Sequence, residues 1–170
     1  MGITIEGGVT VEGGVSFLEG GSSPPPSGTW TSGGSLNTAR QALGGAGTLS
    51  AGLAFGGNDG VTPFTDATEE YNGTSWTNVN AMPNQAAYLC GTGLQTAALA
   101  AGGYNFGSGY LTVSNEYDGT TWTSGGTMVA GASSQPGAAG TQTAALGFGG
   151  YTPTTVTCTE AFNGSTWSAG

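Results

Sequence analysis

Leu53-Ala54-Phe55-Gly56-Gly57, followed by Tyr71-Asn72-Gly73-Thr74-Ser75-Trp76, is the stretch of this chain that decides its fold. Both parts occur two more times. Leu99-Ala100-Ala101-Gly102-Gly103 precedes Tyr117-Asp118-Gly119-Thr120-Thr121-Trp122, and Leu146-Gly147-Phe148-Gly149-Gly150 precedes Phe162-Asn163-Gly164-Ser165-Thr166-Trp167. Trp30 opens the series, and successive tryptophans are separated by 46, 46 and 45 residues. A repeat of this length is typical of propellers and solenoids.

Each unit carries strand and turn signals. Before Gly-Gly, the leucine and the residue two positions later lie on one face of a strand, and Ala or Gly on the other face lets a neighbouring sheet approach. Residues 65–71, 112–117 and 155–162 are rich in Thr, Val and aromatics, which predicts the next strand. Asn-Gly or Asp-Gly before the tryptophan predicts a type I′ hairpin turn. A further, weakly marked strand is expected after each tryptophan, so the chain is expected to be all-β.

The pattern resembles the kelch repeat, in which a hydrophobic strand ends in Gly-Gly and is followed by a Tyr, a Trp and a Met-Pro-like turn. The residues that carry this resemblance are Ala54-Phe55-Gly56-Gly57, Tyr71, Trp76 and Met82-Pro83. Arg40 lies where kelch repeats often carry an arginine, but the other units have none. The resemblance covers residues 29–167 and implies a four-stranded antiparallel blade per unit, with Trp and Tyr packed between blades. The expected units are about 31–76, 77–122 and 123–167.

Three units are fewer than the four to eight blades of a closed propeller. The ring is therefore expected to be incomplete, since the pattern stops at Trp167-Ser168-Ala169-Gly170 without a distinct terminal cap. Either the natural chain continues with more blades, or several chains assemble and share the ring. The first alternative is favoured.

The N-terminal region carries a different, shorter repeat. Ile3-Thr4-Ile5-Glu6-Gly7-Gly8 is followed by Val9-Thr10-Val11-Glu12-Gly13-Gly14 and then by a seven-residue variant. Each copy is one short strand and a bend that buries almost nothing alone, so residues 1–21 are expected to be an assembly arm, with a flexible tail as the alternative. Residues 22–28, rich in Pro and Ser, are expected to be a semi-rigid linker to the repeats that begin at residue 29.

Composition excludes several classes of function. The chain has ten acidic residues, one basic residue, no histidine and a formal net charge of −9, which argues against binding to nucleic-acid phosphates. No apolar stretch approaches the roughly 20 residues of a membrane-spanning helix, so no membrane insertion is expected. The two cysteines occupy non-equivalent positions in their repeats, and two buried free thiols are expected.

The chain offers little catalytic chemistry. Without histidine and with Arg40 as the only basic side chain, the common general bases and oxyanion clamps are mostly absent. Adjacent Glu69 and Glu70 point to opposite faces of a strand, which leaves one of them solvated. The aspartates lack calcium-loop spacing. We therefore expect no enzyme, no cofactor and no metal site, although further blades could supply catalytic groups for a carbohydrate-active enzyme.

The stretches between Gly-Gly and the next aromatic residue vary most, and variable loops on a repeated scaffold are where binding usually resides. The candidate binding residues there are Tyr104, Phe106, Tyr110, Tyr151 and Asp59. Exposed aromatics beside Asn and Ser suit uncharged ligands such as sugar rings, although each ring could instead pack between blades.

The whole layout resembles phage tail-fibre or other virion surface proteins. This resemblance implies a non-enzymatic structural protein of the virion surface. Residues 1–21 would join copies of the chain to one another and to other virion proteins, and the head would recognise a host-surface glycan or protein. The alternative is a cellular or secreted, hence extracellular, kelch-type interaction protein or a filament-forming surface protein.

Overall fold

The structure is a computed structural model that describes residues 31–129 and 136–170. Residues Gly33–Gly170 form one compact domain. The expected assembly arm and linker lie outside the described residues. The first, second and third units named below are the three sequence repeats within this domain.

The described residues form an all-β protein with no helix, as expected from the repeat. Its sixteen strands are β1 (Gly44–Thr48), β2 (Ala51–Phe55), β3 (Thr68–Tyr71), β4 (Trp76–Val79), β5 (Cys90–Leu94), β6 (Ala97–Ala101), β7 (Tyr104–Asn105), β8 (Gly109–Tyr110), β9 (Val113–Tyr117), β10 (Trp122–Thr127), β11 (Gly137–Thr141), β12 (Ala144–Phe148), β13 (Tyr151–Thr152), β14 (Thr154–Thr155), β15 (Thr159–Phe162) and β16 (Trp167–Ala169).

Each repeat contributes one four-stranded antiparallel sheet, whose fourth strand begins at the tryptophan of the repeat and extends past the expected end of the unit. The first sheet has the order β1-β2-β3-β4, the second β5-β6-β9-β10 and the third β11-β12-β15-β16. The weakly marked strands are β1, β5 and β11, and β5 lies against both β1 and β11. The remaining four strands form two small hairpins, β7-β8 and β13-β14.

Every sheet has a front face and a back face, and the sheets pack front to back. The front face carries the Leu-x-Phe or Leu-x-Ala pair of the second strand, and the back face carries the aromatic of the third strand and the tryptophan of the fourth. Leu53 and Phe55 on the first front face are 2% and 0% exposed because the second sheet covers them. Leu99 on the second front face is buried in the same way against the third sheet.

The tryptophans fill the spaces between sheets. Trp122 on the back of the second sheet packs edge-on against Phe55, with ring centroids 5.1 Å apart. Its Nε1 donates a 3.0 Å hydrogen bond to Thr68 Oγ1. Trp167 repeats this contact by donating to Ser114 Oγ at 3.0 Å. The indole N–H, which would be costly to bury alone, is therefore satisfied at both sheet junctions.

Glutamine side chains make a second repeated link that the sequence analysis did not anticipate. Gln95 Nε2 donates to two carbonyls of the first sheet, Gly52 O at 3.0 Å and Tyr71 O at 2.9 Å. Gln142 makes the equivalent pair of bonds to Ala98 O and Tyr117 O, at 3.1 and 2.8 Å. Both glutamines begin the turn between the first two strands of their sheets, a position that Leu49 holds in the first sheet.

The paired glycines allow close approach between units. Gly56 has a φ of 64°, and a Cβ at this position would lie 2.6 Å from Ala86 O. Gly57 has a φ of 101°, and its N–H donates a 2.8 Å hydrogen bond to the same oxygen, Ala86 O. Only glycine combines this left-handed backbone with the missing Cβ.

The predicted type I′ turn is wrong. A type I′ turn needs positive φ at both central residues, but Asn72, Asp118 and Asn163 all have negative φ, and only the glycine after each is positive. The last strand pair, Tyr71 with Trp76, leaves four residues in the loop. Asn72 Oδ1 accepts two backbone N–H bonds, from Thr74 and Ser75, both 2.9 Å long. The Asn72 side chain therefore stabilises the loop through its own hydrogen bonds to the backbone.

Arg40 is buried in the back of the first sheet, where its guanidinium bridges three groups. It donates to Gly56 O at 2.7 Å, Ala67 O at 2.8 Å and Glu69 Oε1 at 2.9 Å. The side chains of Arg40 and Glu69 are 0% and 1% exposed. The expectation that one of the adjacent glutamates is solvated is wrong in detail, because partly buried Glu70 accepts a 2.9 Å hydrogen bond from Tyr117 OH of the second sheet.

The two cysteines are free, as expected, but only Cys90 is buried. Cys158 is partly exposed because it lies in the loop before β15 and not in a strand. Burial raises the pKa of the Cys90 thiol from 9.0 to about 11, which keeps it protonated at neutral pH.

Candidate aromatic binding site

The candidate site is built from the variable segments that follow Gly-Gly in each unit. In the second unit this segment folds into the hairpin β7-β8, with Tyr104 opposite Tyr110 and Asn105 opposite Gly109. Asn105 Oδ1 stabilises the tip by accepting a 2.6 Å bond from Ser108 N–H. In the third unit the shorter hairpin β13-β14 begins with Tyr151.

The hairpin β7-β8 is fixed to the scaffold by its first residue. Tyr104 and Ala87 exchange two backbone hydrogen bonds, with N···O distances of 2.8 and 3.1 Å. Leu111 N–H donates to Gly103 O at 2.9 Å at the other end of the hairpin. Asn58 makes the equivalent bridge to Gln41 in the first unit, so the same position of the repeat carries Asn once and Tyr twice.

The rings of these segments form one continuous aromatic cluster, which consists of Phe64, Tyr104, Phe106, Tyr110 and Tyr151. Tyr104 is central, with ring centroids 5.8 Å from Phe64, 6.1 Å from Phe106 and 5.1 Å from Tyr110. Phe64 and Phe106 are 4.8 Å apart, and Tyr110 and Tyr151 are 6.0 Å apart. All five contacts are edge-to-face, the geometry that the aromatic quadrupole favours.

The cluster draws its residues from all three repeats, and part of it faces solvent. Phe64 comes from the first unit, Tyr151 from the third and the rest from the second. Phe64 is 8% exposed and forms the base, whereas Phe106 is 73% exposed and Tyr151 is 42% exposed. An exposed aromatic surface with a buried foundation is typical of a site that contacts another molecule.

Four of the five binding candidates are therefore brought together, and the fifth is not part of the ring contacts. Asp59 Oδ1 accepts hydrogen bonds from the N–H groups of Val61 and Thr62 in its own turn. These bonds hold the pKa of Asp59 below its usual value. Asp59 also lines an open groove of about 280 Å³ with Gln41 and Asn58. Its described role is to shape the turn before Phe64.

Phe64 is the member of the cluster that the sequence analysis missed. It lies in the variable segment of the first unit, but it is a single aromatic in a stretch of Gly, Thr and Asp. The available signal was that every unit has an aromatic residue between Gly-Gly and the third strand. Only the packed structure shows that those residues meet.

Neutral hydroxyls and aromatic faces dominate the chemistry of the cluster. Loss of water around its hydroxyl raises the pKa of Tyr110, and the nearby phenols of Tyr151 and Tyr104 add to that increase. The Tyr110 phenol therefore stays a neutral hydrogen-bonding group at neutral pH. The single cation of the chain, Arg40, is buried in its ion pair and does not serve this surface.

Several of the described carboxylates are engaged in structural contacts. Glu69 binds Arg40, and Glu160 Oε2 accepts a 2.7 Å bond from Val129 N–H. Asp118 holds its turn with bonds from Thr120 and Thr121 N–H, which lower its pKa. Within residues 31–129 and 136–170, no three His, Cys, Asp or Glu side chains are grouped so that they could hold a metal ion.

No helix in the described part of the chain has the length and apolar character to cross a membrane. No protein-family model matches the sequence, and no curated protein is significantly similar to it.

Proposed function

We propose that this chain is a non-enzymatic binding protein that uses the aromatic cluster to hold a neutral glycan on a host surface. The observation that carries the proposal is the set of edge-to-face rings, contributed by three repeats, that ends in the exposed faces of Phe106 and Tyr151. Sugar rings present apolar C–H faces and hydroxyl edges. Exposed rings offer contact area for the former, and tyrosine hydroxyls offer hydrogen bonds to the latter.

Charge supports a neutral ligand over an acidic one. The net charge of −9 repels acidic sugars at long range, and the buried Arg40 is not available to pair with a carboxylate or sulfate. A protein ligand would be expected to need a larger apolar patch than these few rings provide.

The scaffold is proposed to consist of kelch-type propeller blades. Support comes from the four-stranded order of each sheet, the left-handed Gly-Gly after the second strand and the tryptophan packed between neighbouring sheets. Repeated blades place their variable segments at one end, where a single ligand can contact several units. That arrangement explains why one ring cluster collects residues from three repeats.

The biological setting is proposed to be the virion surface, in a tail fibre or similar appendage, with residues 1–21 as the attachment to copies of the chain and to other virion proteins. The supporting features are the Gly-rich, Ser- and Thr-rich composition and the short N-terminal repeat. Detection of the protein in purified mature particles with an antibody tests this setting. Its absence from the particles would contradict it.

Binding is tested on an array of neutral and acidic oligosaccharides, followed by calorimetric titration of the best neutral ligand. We expect at least a tenfold loss of affinity in Phe106→Ala and in Tyr151→Ala. The matched control is Leu49→Ala, because Leu49 is 95% exposed and lies outside the cluster. Unfolding curves should show that all three variants fold. Equal binding by all of them, or a preference for acidic glycans, would refute the proposal.

A further inference from the structure

The front face of the third sheet differs from the other two front faces in one respect, because it is open. Leu146 and Phe148 are 43% and 44% exposed. Their equivalents, Leu53 and Phe55, are 2% and 0% exposed because the second sheet covers them. Thr159, which occupies the place of Thr68 and Ser114, is also only partly buried.

The two covered faces define what fits the open one. In both junctions a tryptophan indole donates to the hydroxyl of the Thr or Ser on the front face. In both, a glutamine donates to two backbone carbonyls, one from the second strand and one from the third. On the third sheet, the corresponding acceptors are Thr159 Oγ1, Ala145 O and Phe162 O.

We infer that the front face of the third sheet binds a further sheet of this same repeat, one that carries both the turn glutamine and the outer-strand tryptophan. Such a sheet covers Leu146 and Phe148 with its aromatic back face and satisfies the acceptors at its rim. This inference rests on packing and does not depend on the identity of the ligand.

The first sheet of a second copy is a poorer match. Its turn position holds Leu49, which cannot donate to the two carbonyls. The back of this sheet is also partly occupied, since Trp76 Nε1 already donates to Gly34 O at 3.1 Å and Gly34 lies against Thr74 O. The occupant is therefore a repeat of the second or third kind.

The test adds one such repeat to the intact chain by placing a second copy of residues 126–170 directly after Gly170. This keeps the spacing of the units, since Trp167 and Gly170 correspond to Trp122 and Gly125. A Leu146→Cys thiol in the original third sheet reports coverage through its rate of maleimide labelling. Cys158→Ala removes the partly exposed native thiol from both copies, and buried Cys90 is a slow background.

We expect labelling at position 146 to slow at least tenfold in the extended chain. The slowing should disappear when the added copy carries Gln142→Leu and Trp167→Ala. A thiol at Val61, which is 90% exposed on the first unit, should be labelled equally in the original and extended chains.

Two results would overturn the inference. One is an unchanged labelling rate at position 146 in the extended chain. This result would count against the inference whether the added repeat folds away from this face or does not fold at all. The other is protection of that thiol in the unextended chain that is lost on dilution, because a second copy would then be the occupant.

Discussion

Removal of the buried Arg40 should destabilise the protein far more than removal of the whole ion pair. Arg40→Ala leaves the Glu69 carboxylate, 1% exposed, without its cation and deprives Gly56 O and Ala67 O of a donor. Breaking a buried pair by removing one partner costs about 3–5 kcal/mol, whereas replacing both partners is often close to neutral.

The chain itself contains the reference for the double variant. The second unit carries Ala86 at the position of Arg40, ten residues after the preceding tryptophan, and Asn115 at the position of Glu69. Both charges are thus missing together. The second sheet packs around Ala86 and Asn115, which help to line a small cavity of about 10 Å³. Arg40→Ala with Glu69→Asn therefore copies a natural solution, at an expected cost of about 1–2 kcal/mol for lost side-chain packing.

The assay is urea unfolding followed by tryptophan fluorescence, with the two single variants and the double variant measured together. A double variant that is more stable than Arg40→Ala alone demonstrates the coupling. The reverse transfer is a second test: Asn115→Glu should destabilise, and Ala86→Arg added to it should restore part of the loss. If the double variant is as unstable as the sum of the two single variants, the reasoning is wrong.

Three further outcomes follow from the same contacts. Phe162→Tyr should stabilise the protein by up to about 1 kcal/mol, because the new hydroxyl donates to Glu116 as Tyr117 OH donates to Glu70 in the preceding junction. Burial raises the pKa of Glu116. An NMR titration should show a lower Glu116 pKa in the variant, and an unchanged pKa would contradict the contact. Trp122→Phe should lower the free energy of unfolding by about 1–3 kcal/mol, measured in urea, because it removes the indole N–H that donates to the hydroxyl of Thr68. Thr68 is 1% exposed, so its hydroxyl loses this donor. An unchanged stability would contradict the importance of this contact between the sheets. The folded pKa of Cys90 is raised from 9.0 to about 11, so the protonated thiol contributes fully to the free energy of unfolding below pH 9, and this contribution is lost as the pH rises towards 11. Cys90→Ala should therefore reduce the alkaline loss of stability by up to about 3 kcal/mol. Parallel plots of unfolding free energy against pH for the two proteins would count against this.

The regular part of this fold could be predicted because the same motif occurs three times, and each copy supports the interpretation of the others. Gly-Gly, the aromatic residue and the tryptophan recur in register, so strand, bend and hairpin follow from local preferences alone. The type I′ turn was predicted wrongly because Asn-Gly fits two kinds of hairpin. Asp118 distinguishes them, since its carboxylate accepts the same two N–H bonds as Asn72 does and thus favours a side-chain-stabilised loop.

Contacts between units were harder to predict from the sequence. Gln95 and Gln142 look like ordinary polar turn residues until the neighbouring sheet brings two carbonyls within reach. Arg40 could be placed in the repeat, but its partner Glu69 lies 29 residues away on another strand. Phe64 joins the aromatic cluster only because three separate segments converge. Each of these features depends on tertiary distance, which a one-dimensional pattern does not contain.

The distribution of variation along the repeat separates scaffold from site. Positions between sheets change less: Trp recurs, and Thr and Ser alternate beneath it. Glu69 is kept as buried Glu160 in the third sheet, whereas both members of the Arg40–Glu69 pair are replaced in the second. The position just after Gly-Gly changes freely, from Asn58 to Tyr104 and Tyr151, although its backbone bridge is kept in the first two units. A position whose backbone is held while its side chain varies can acquire new contacts at little cost in stability. Tyr104 and Tyr151 of the aromatic cluster lie at the position after Gly-Gly, which supports the proposal that the cluster recognises a ligand.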